Sequence, residues 1–164
     1  MKEYGLNDSQ LGVYLDMIED PMTIKYNLPV LITLPDGVDR DRVWQAFADT
    51  VAAHPIYAAT FAAGEEGPVM RIPDGTLRVS PCAEEDFLKP FDLEKGPLVR
   101  AAIIDAGLKF EMHHLVFDGT SQMNFCAELA ARYNGQPLPV EELTIFDKAA
   151  ADARVKTTPA FASA

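Results

Sequence analysis

His114 stands four residues ahead of Asp118, inside the run Met112-His113-His114-Leu115-Val116-Phe117-Asp118-Gly119-Thr120-Ser121. A neutral imidazole can take a proton, which is what a general base must do. Residues 108–117 read as a strand, and side chains alternate between the two faces of a strand. His113 and His114 therefore point to opposite sides. Tracing back from His114 puts Met112 and Phe110 on its face, and tracing back from His113 gives Glu111 and Lys109, which read as solvated. The pattern predicts a partly desolvated, neutral His114 on the apolar face. Asp118 and Gly119 then end the strand and open a helix, whose positive end favours negative charge developing on a reacting oxygen. Together these groups suit acyl transfer to an amine or hydroxyl, with no side-chain nucleophile.

The same residues also carry a plainer reading, in which His114 is a satisfied strand residue and Asp118 is an ordinary helix cap. Other chemistries find less support. His114 and Asp118 have no third clustered ligand, so zinc is not expected. None of Ser9, Ser80 and Ser121 sits in a Gly-x-Ser-x-Gly elbow. Neither a phosphate-binding loop nor a dinucleotide fingerprint is present.

The elements that must position these residues follow from apolar spacing and turn residues. Residues 9–20 read as a helix with Leu11, Tyr14, Leu15 and Ile18 inward, capped by Asp8 or Ser9 and stopped by Pro21. Residues 26–34 read as a buried strand, and residues 39–53 as a helix with Val43, Ala46, Phe47 and Val51 on one stripe. Two strands are expected across 56–72 around Gly64-Glu65-Glu66-Gly67, an edge strand over 77–82 and a helical turn over 83–88. The strongest strands, 97–105 and 108–117, meet at Asp105-Ala106-Gly107. A helix from Asp118 to about Tyr133 closes at Asn134-Gly135, and a last helix is read over 143–154. Alternating helices and strands give an α/β class with a mixed sheet.

Composition bounds the rest. A chain of 164 residues, 48% apolar and 24% charged, has the makings of one globular domain. With 25 acidic against 14 basic residues the formal charge is −11, which argues against nucleic-acid and anionic-membrane roles. Cys82 and Cys126 are far apart among apolar neighbours and build neither a disulfide framework nor a zinc spacing. No apolar run suggests a signal peptide or a membrane span, so the cytoplasm is the expected location.

The His113-His114-x-x-x-Asp118-Gly119 segment resembles the core motif of nonribosomal peptide synthetase condensation domains, within the chloramphenicol acetyltransferase-like superfamily. Three further stretches are similar to motifs of those domains, in the family's order. Residues 6–15, Leu-Asn-Asp-Ser-Gln-Leu-Gly-Val-Tyr-Leu, resemble the opening motif, and residues 90–100, Pro-Phe-Asp-Leu-Glu-Lys-Gly-Pro-Leu-Val-Arg, resemble the stretch before the central strands. Residues 54–61 loosely resemble a motif that normally carries an arginine and a threonine where this chain has Ala58 and Ala59.

The resemblance implies a single lobe of that fold, with helices packed on a mostly antiparallel sheet, over residues 1–155. Residues 156–164 would be a linker toward a C-terminal lobe. It implies amide formation between two thioesters, each delivered on the phosphopantetheine arm of a peptidyl or aminoacyl carrier protein. No metal and no directly bound cofactor are expected. His114 would be catalytic, His113 supporting, Asp118 structural through an ion pair, and Gly119 close to the reacting carbonyl. With Ala58 in the arginine's place, Arg100 on the neighbouring strand is the cation expected to pair with Asp118. The alternatives are a stand-alone acyltransferase of the same superfamily, a non-catalytic lobe that docks a carrier protein, and a plain structural domain.

Overall fold

The computed structural model describes residues 1–138 together with 144, 146, 147, 151 and 154. Its elements run β1 (Lys2–Gly5), α1 (Asp8–Glu19), β2 (Asn27–Thr33), α2 (Arg40–Ala53), β3 (Thr60–Gly64), β4 (Gly67–Ile72), β5 (Val99–Ile104), β6 (Gly107–His113) and α3 (Gly119–Asn134). Short 3-10 turns lie at Pro55–Ala58 and Glu84–Asp86. The helix read over 143–154 lies largely, and the tail 156–164 wholly, outside the described residues.

The α/β class and antiparallel pairing stand, but the single mixed sheet does not. The described strands form two three-stranded sheets, ordered β1-β4-β3 and β2-β6-β5, and every pairing is antiparallel. Strand β1 escapes sequence reading because its four residues carry no apolar alternation. Residues 77–82 do not form the expected edge strand. Pro81 has no N–H to donate, and Cys82 alone bonds across, from its N–H to the Ala101 carbonyl at 2.9 Å.

Two turns depend on glycine. At Gly107, where β5 hands over to β6, an added Cβ would lie 2.0 Å from the Ile32 carbonyl oxygen, so no other side chain fits. Gly135 ends α3 in the left-handed conformation, φ 65°.

One face of the β2-β6-β5 sheet holds an aromatic core. Phe47 of α2, Phe125 of α3 and Phe110 of β6 have ring centroids 5.4–5.6 Å apart, with Tyr57 and Phe117 packed around them. Such rings bring large apolar area and favourable tilted contacts. The buried stripe of α2 is the one that its spacing predicts. In α1 the phase differs: Gln10, Tyr14 and Met17 are buried, while Leu15 and Ile18 are about half exposed.

The opposite face of β6 corrects a second expectation. Glu111 and His113 are fully buried, with the Leu88 backbone against the one and the Phe91 ring against the other. Arg100, directly across the ladder from Glu111, brings its Nε within 2.8 Å of Glu111 Oε2, off the line of a good hydrogen bond, so the contact is chiefly ionic. Asn27 Nδ2 and the Leu88 N–H donate to the same carboxylate at 3.0 and 3.1 Å. The guanidinium also donates to the Asp86 and Lys89 carbonyls and stacks 3.9 Å above the Phe91 ring. Arg100 therefore belongs to Glu111, and the expected pair with Asp118 is not formed. The cross-strand register decides this, since it opposes Arg100 to Glu111 within the sheet.

Removing one member of a buried pair leaves the other charge uncompensated, at a cost of about 3–5 kcal/mol. Arg100→Ala is expected to destabilise the chain by that amount in urea unfolding. A double-mutant cycle should show strong coupling between positions 100 and 111, and additivity within about 0.5 kcal/mol between 100 and 118.

Candidate active site

Strand β6 stops at His113, and the chain turns over residues 114–116 with the Val116 N–H donating to the His113 carbonyl at 3.0 Å. That turn breaks the two-residue period. The backbone of His114 still pairs with the residue just before β2, its N–H donating to the Tyr26 carbonyl at 2.9 Å, but its side chain is exposed. Leu115, Val116 and Phe117 take the inward positions. The desolvation expected for His114 therefore falls on His113 instead.

His113 is fully buried, and burial, with a smaller contribution from His114, pushes its pKa down to about 4. Its ring lies 5.9 Å from Phe91 and 6.1 Å from Tyr26, centroid to centroid. The Leu115 N–H donates to His113 Nδ1 at 3.2 Å, so in the neutral ring the proton sits on Nε2. His113 thus shapes the turn from inside, and His114 meets solvent.

Helix α3 begins beside His114. Asp118 is its N-cap and accepts from the Ser121 N–H at 2.7 Å. That bond is the chief cause holding the Asp118 carboxyl below its usual range, with the nearby His114 adding to it. Asp118 is exposed and forms no ion pair among the described residues. Gly119 is the first helical residue, and the space beside its Cα is open.

The N-terminus of α1 faces α3 across a small groove of about 130 Å³, lined by Asn7, Ser9, Gln10, Val13, His114, Asp118 and Ser121 among others. Sequence reading missed the cap of α1, which is Asn7 and not Asp8 or Ser9. Asn7 Oδ1 accepts from the Gln10 N–H at 2.9 Å, and Gln10 Oε1 accepts from the Asn7 N–H at 3.3 Å. This capping box is visible as Asn7-x-x-Gln10. From the same side chain, Gln10 Nε2 donates to the Leu115 carbonyl at 3.0 Å. Tyr26, whose ring stands 6.4 Å from that of His114, donates its hydroxyl to Asp16, which also takes a bond from Lys25 at 2.7 Å.

A second polar cluster was also missed. His54 Nε2 lies 2.7 Å from Glu128 Oε2, and Arg132 donates to Glu128 Oε1 at 2.6 and 2.9 Å, tying the end of α2 to α3. Burial pushes the Glu128 carboxyl up, but the bonds from His54 and Arg132 outweigh it and hold it below its usual range. A wider cleft, about 820 Å³, lies elsewhere, between α1 and residues 89–94, and does not touch His114. Among the described residues there is no group of three side chains arranged to hold a metal, and no helix long and apolar enough to cross a membrane.

Residues 1–158 match the family described as Condensation domain. The chain belongs to the condensation-domain family. It is 32% identical over 151 residues to bacitracin synthase 3 of Bacillus licheniformis, covering 83% of this chain and 2% of that protein. It is 31% identical over 151 residues to surfactin synthase subunit 2 of Bacillus subtilis (strain 168), covering 83% of this chain and 4% of that protein. In fold it is similar to the starter condensation domain of rhizomide synthetase RzmA, with a TM-score of 0.75 at 18% identity over 96% of this chain and 45% of that one. It is likewise similar to the first condensation domain of the calcium-dependent antibiotic synthetase in complex with a substrate analogue, with a TM-score of 0.77 at 21% identity over 97% and 45%. The chain therefore spans less than half of those solved condensation domains, and only the N-terminal part of the domain lies within it.

His113 titrates at about 4 in the fold against 6.5 when unburied, so the unfolded chain binds the extra proton between those values. The stability linked to this group is complete above about pH 6.5 and is lost progressively as pH falls to about 4, on the order of 3 kcal/mol in all. In chemical denaturation, His113→Leu is expected to flatten the fall in stability across that window relative to the unchanged chain.

Proposed function

We propose that this chain is the N-terminal half of a condensation domain that forms an amide bond in nonribosomal peptide synthesis. The donor is an acyl or peptidyl thioester and the acceptor an aminoacyl thioester, each presented on a phosphopantetheine arm by a carrier protein. A C-terminal lobe of the same domain would supply the other wall of the site. No cofactor beyond those delivered arms is required. The carrying observation is the exposed His114 ring at the groove between the N-termini of α1 and α3.

In the reaction, the acceptor amine nitrogen attacks the donor thioester carbonyl carbon. A C–N bond forms, the C–S bond breaks, and the amine proton ends on the departing pantetheine sulfur. His114 sits where it can take the proton from the attacking nitrogen and pass it to the sulfur, or hold the nitrogen in line for attack. The positive end of α3 favours the negative charge that develops on the carbonyl oxygen. Asp118 caps that helix and keeps its end beside His114. Gly119 presents no side chain to the reacting carbonyl. His113 supports the turn from within the core.

A second reading, a lobe that docks a carrier protein without catalysis, draws on one observation: the arginine of the family motif is replaced by Ala58, and Asp118 forms no ion pair among the described residues.

His114→Ala in the whole domain is expected to lower amide formation between two loaded carrier proteins by roughly 10²–10⁴-fold, the usual contribution of a positioned proton-transfer group. Single-turnover product analysis measures it. An undiminished rate would remove His114 from the chemistry and favour the docking reading.

A further inference from the structure

The turn that carries His114 is short, and its place in space must be fixed by something outside β6. Gln10 makes such a tie across 105 residues of sequence. Its side chain is 7% exposed and is bonded on both sides: Oε1 accepts from the Asn7 N–H, and Nε2 donates to the Leu115 carbonyl at 3.0 Å, with Met70 Sδ a distant further contact at 4.0 Å. The amide orientation is unambiguous. Reversed, it would set NH2 against the Asn7 N–H and oxygen against the Leu115 oxygen. A capping box accepts glutamate as well as glutamine, so the cap alone does not explain an amide here. The donor half does, because a carboxylate would confront the Leu115 carbonyl with a second acceptor.

We propose that Gln10 is a positioning residue for His114, anchoring the Leu115 carbonyl and thereby setting where the His114 ring stands relative to the N-terminus of α3. The structural part of this inference is independent of catalysis. Its consequence for rate rests on the reading of His114 given above.

Gln10→Glu separates the two halves of the side chain, since it keeps the acceptor for Asn7 and loses the donor for Leu115. With 13C-labelled histidine, the three histidines of the chain can be followed as separate ring signals, with His54 as the remote control. In Gln10→Glu the His114 ring signal is expected to move or broaden at neutral pH while that of His54 holds. Compared at matched pH, its difference from the unchanged chain should shrink as pH falls, because a protonated carboxyl can again donate to the Leu115 oxygen. In the whole domain, kcat for amide formation should fall roughly 10- to 100-fold, with KM for the acceptor carrier protein unchanged, as expected for a misplaced group. If Gln10→Glu does not fold, Gln10→Met, which keeps length and volume, carries the same ring measurement. A His114 signal that coincides with the unchanged chain, accompanied only by a lower melting temperature, overturns the proposal. Should the ring move while His114→Ala still condenses substrates at the full rate, the catalytic reading falls and the positioning stands.

Discussion

Burying Glu111 in the middle of β6 strips a carboxylate of its water, and such a charge survives in a protein interior only when it is paired and hydrogen-bonded. The Arg100 guanidinium, the Asn27 amide and the Leu88 N–H meet that requirement together. In doing so they draw in three separate pieces of chain: β5, the start of β2, and the segment that crosses over the sheet. With that segment in place β6 is covered on both faces, by the aromatic rings of α2 and α3 on one side and by Phe87 and Phe91 on the other. The position of His113, and so of the turn that follows it, depends on this double burial.

The consequence is a division of labour between two adjacent histidines. His113 ends the strand inside the protein and is held neutral by burial, its Nδ1 receiving the Leu115 N–H. His114 begins the turn and stands at the surface beside the capped end of α3. Neighbouring identical side chains thus occupy opposite solvent environments, and the backbone break between them makes this possible.

Much of this was legible in the sequence, and what was missed has physical causes. The stripe of α2, the β5–β6 hairpin with Gly107, and the α3 stop at Gly135 follow from spacing and turn chemistry, which are local. The family motif around His114 was also readable. The environment of the motif was inverted, because Glu111 looks like a solvated charge until the Arg100 that faces it across the ladder is known. Alternation placed His114 inward because nothing local announces that β6 ends at His113, four residues short of the expected Phe117. The role of Gln10 depends on a contact with Leu115 in a distant part of the chain, and only its capping-box half has a sequence signature.

The edges of the β2-β6-β5 sheet have their own consequence. The Tyr26 carbonyl and the Leu34 N–H both turn toward the β5–β6 hairpin, so by alternation the nitrogen of Pro29 faces outward from β2, where it has no hydrogen to offer. On the far side, Cys82 already occupies the Ala101 carbonyl of β5. Among the described residues, neither margin of this sheet presents an unbroken row of free backbone groups to a visiting strand. A strand laid along either margin of this sheet would meet a missing donor at Pro29 or an occupied acceptor at Ala101.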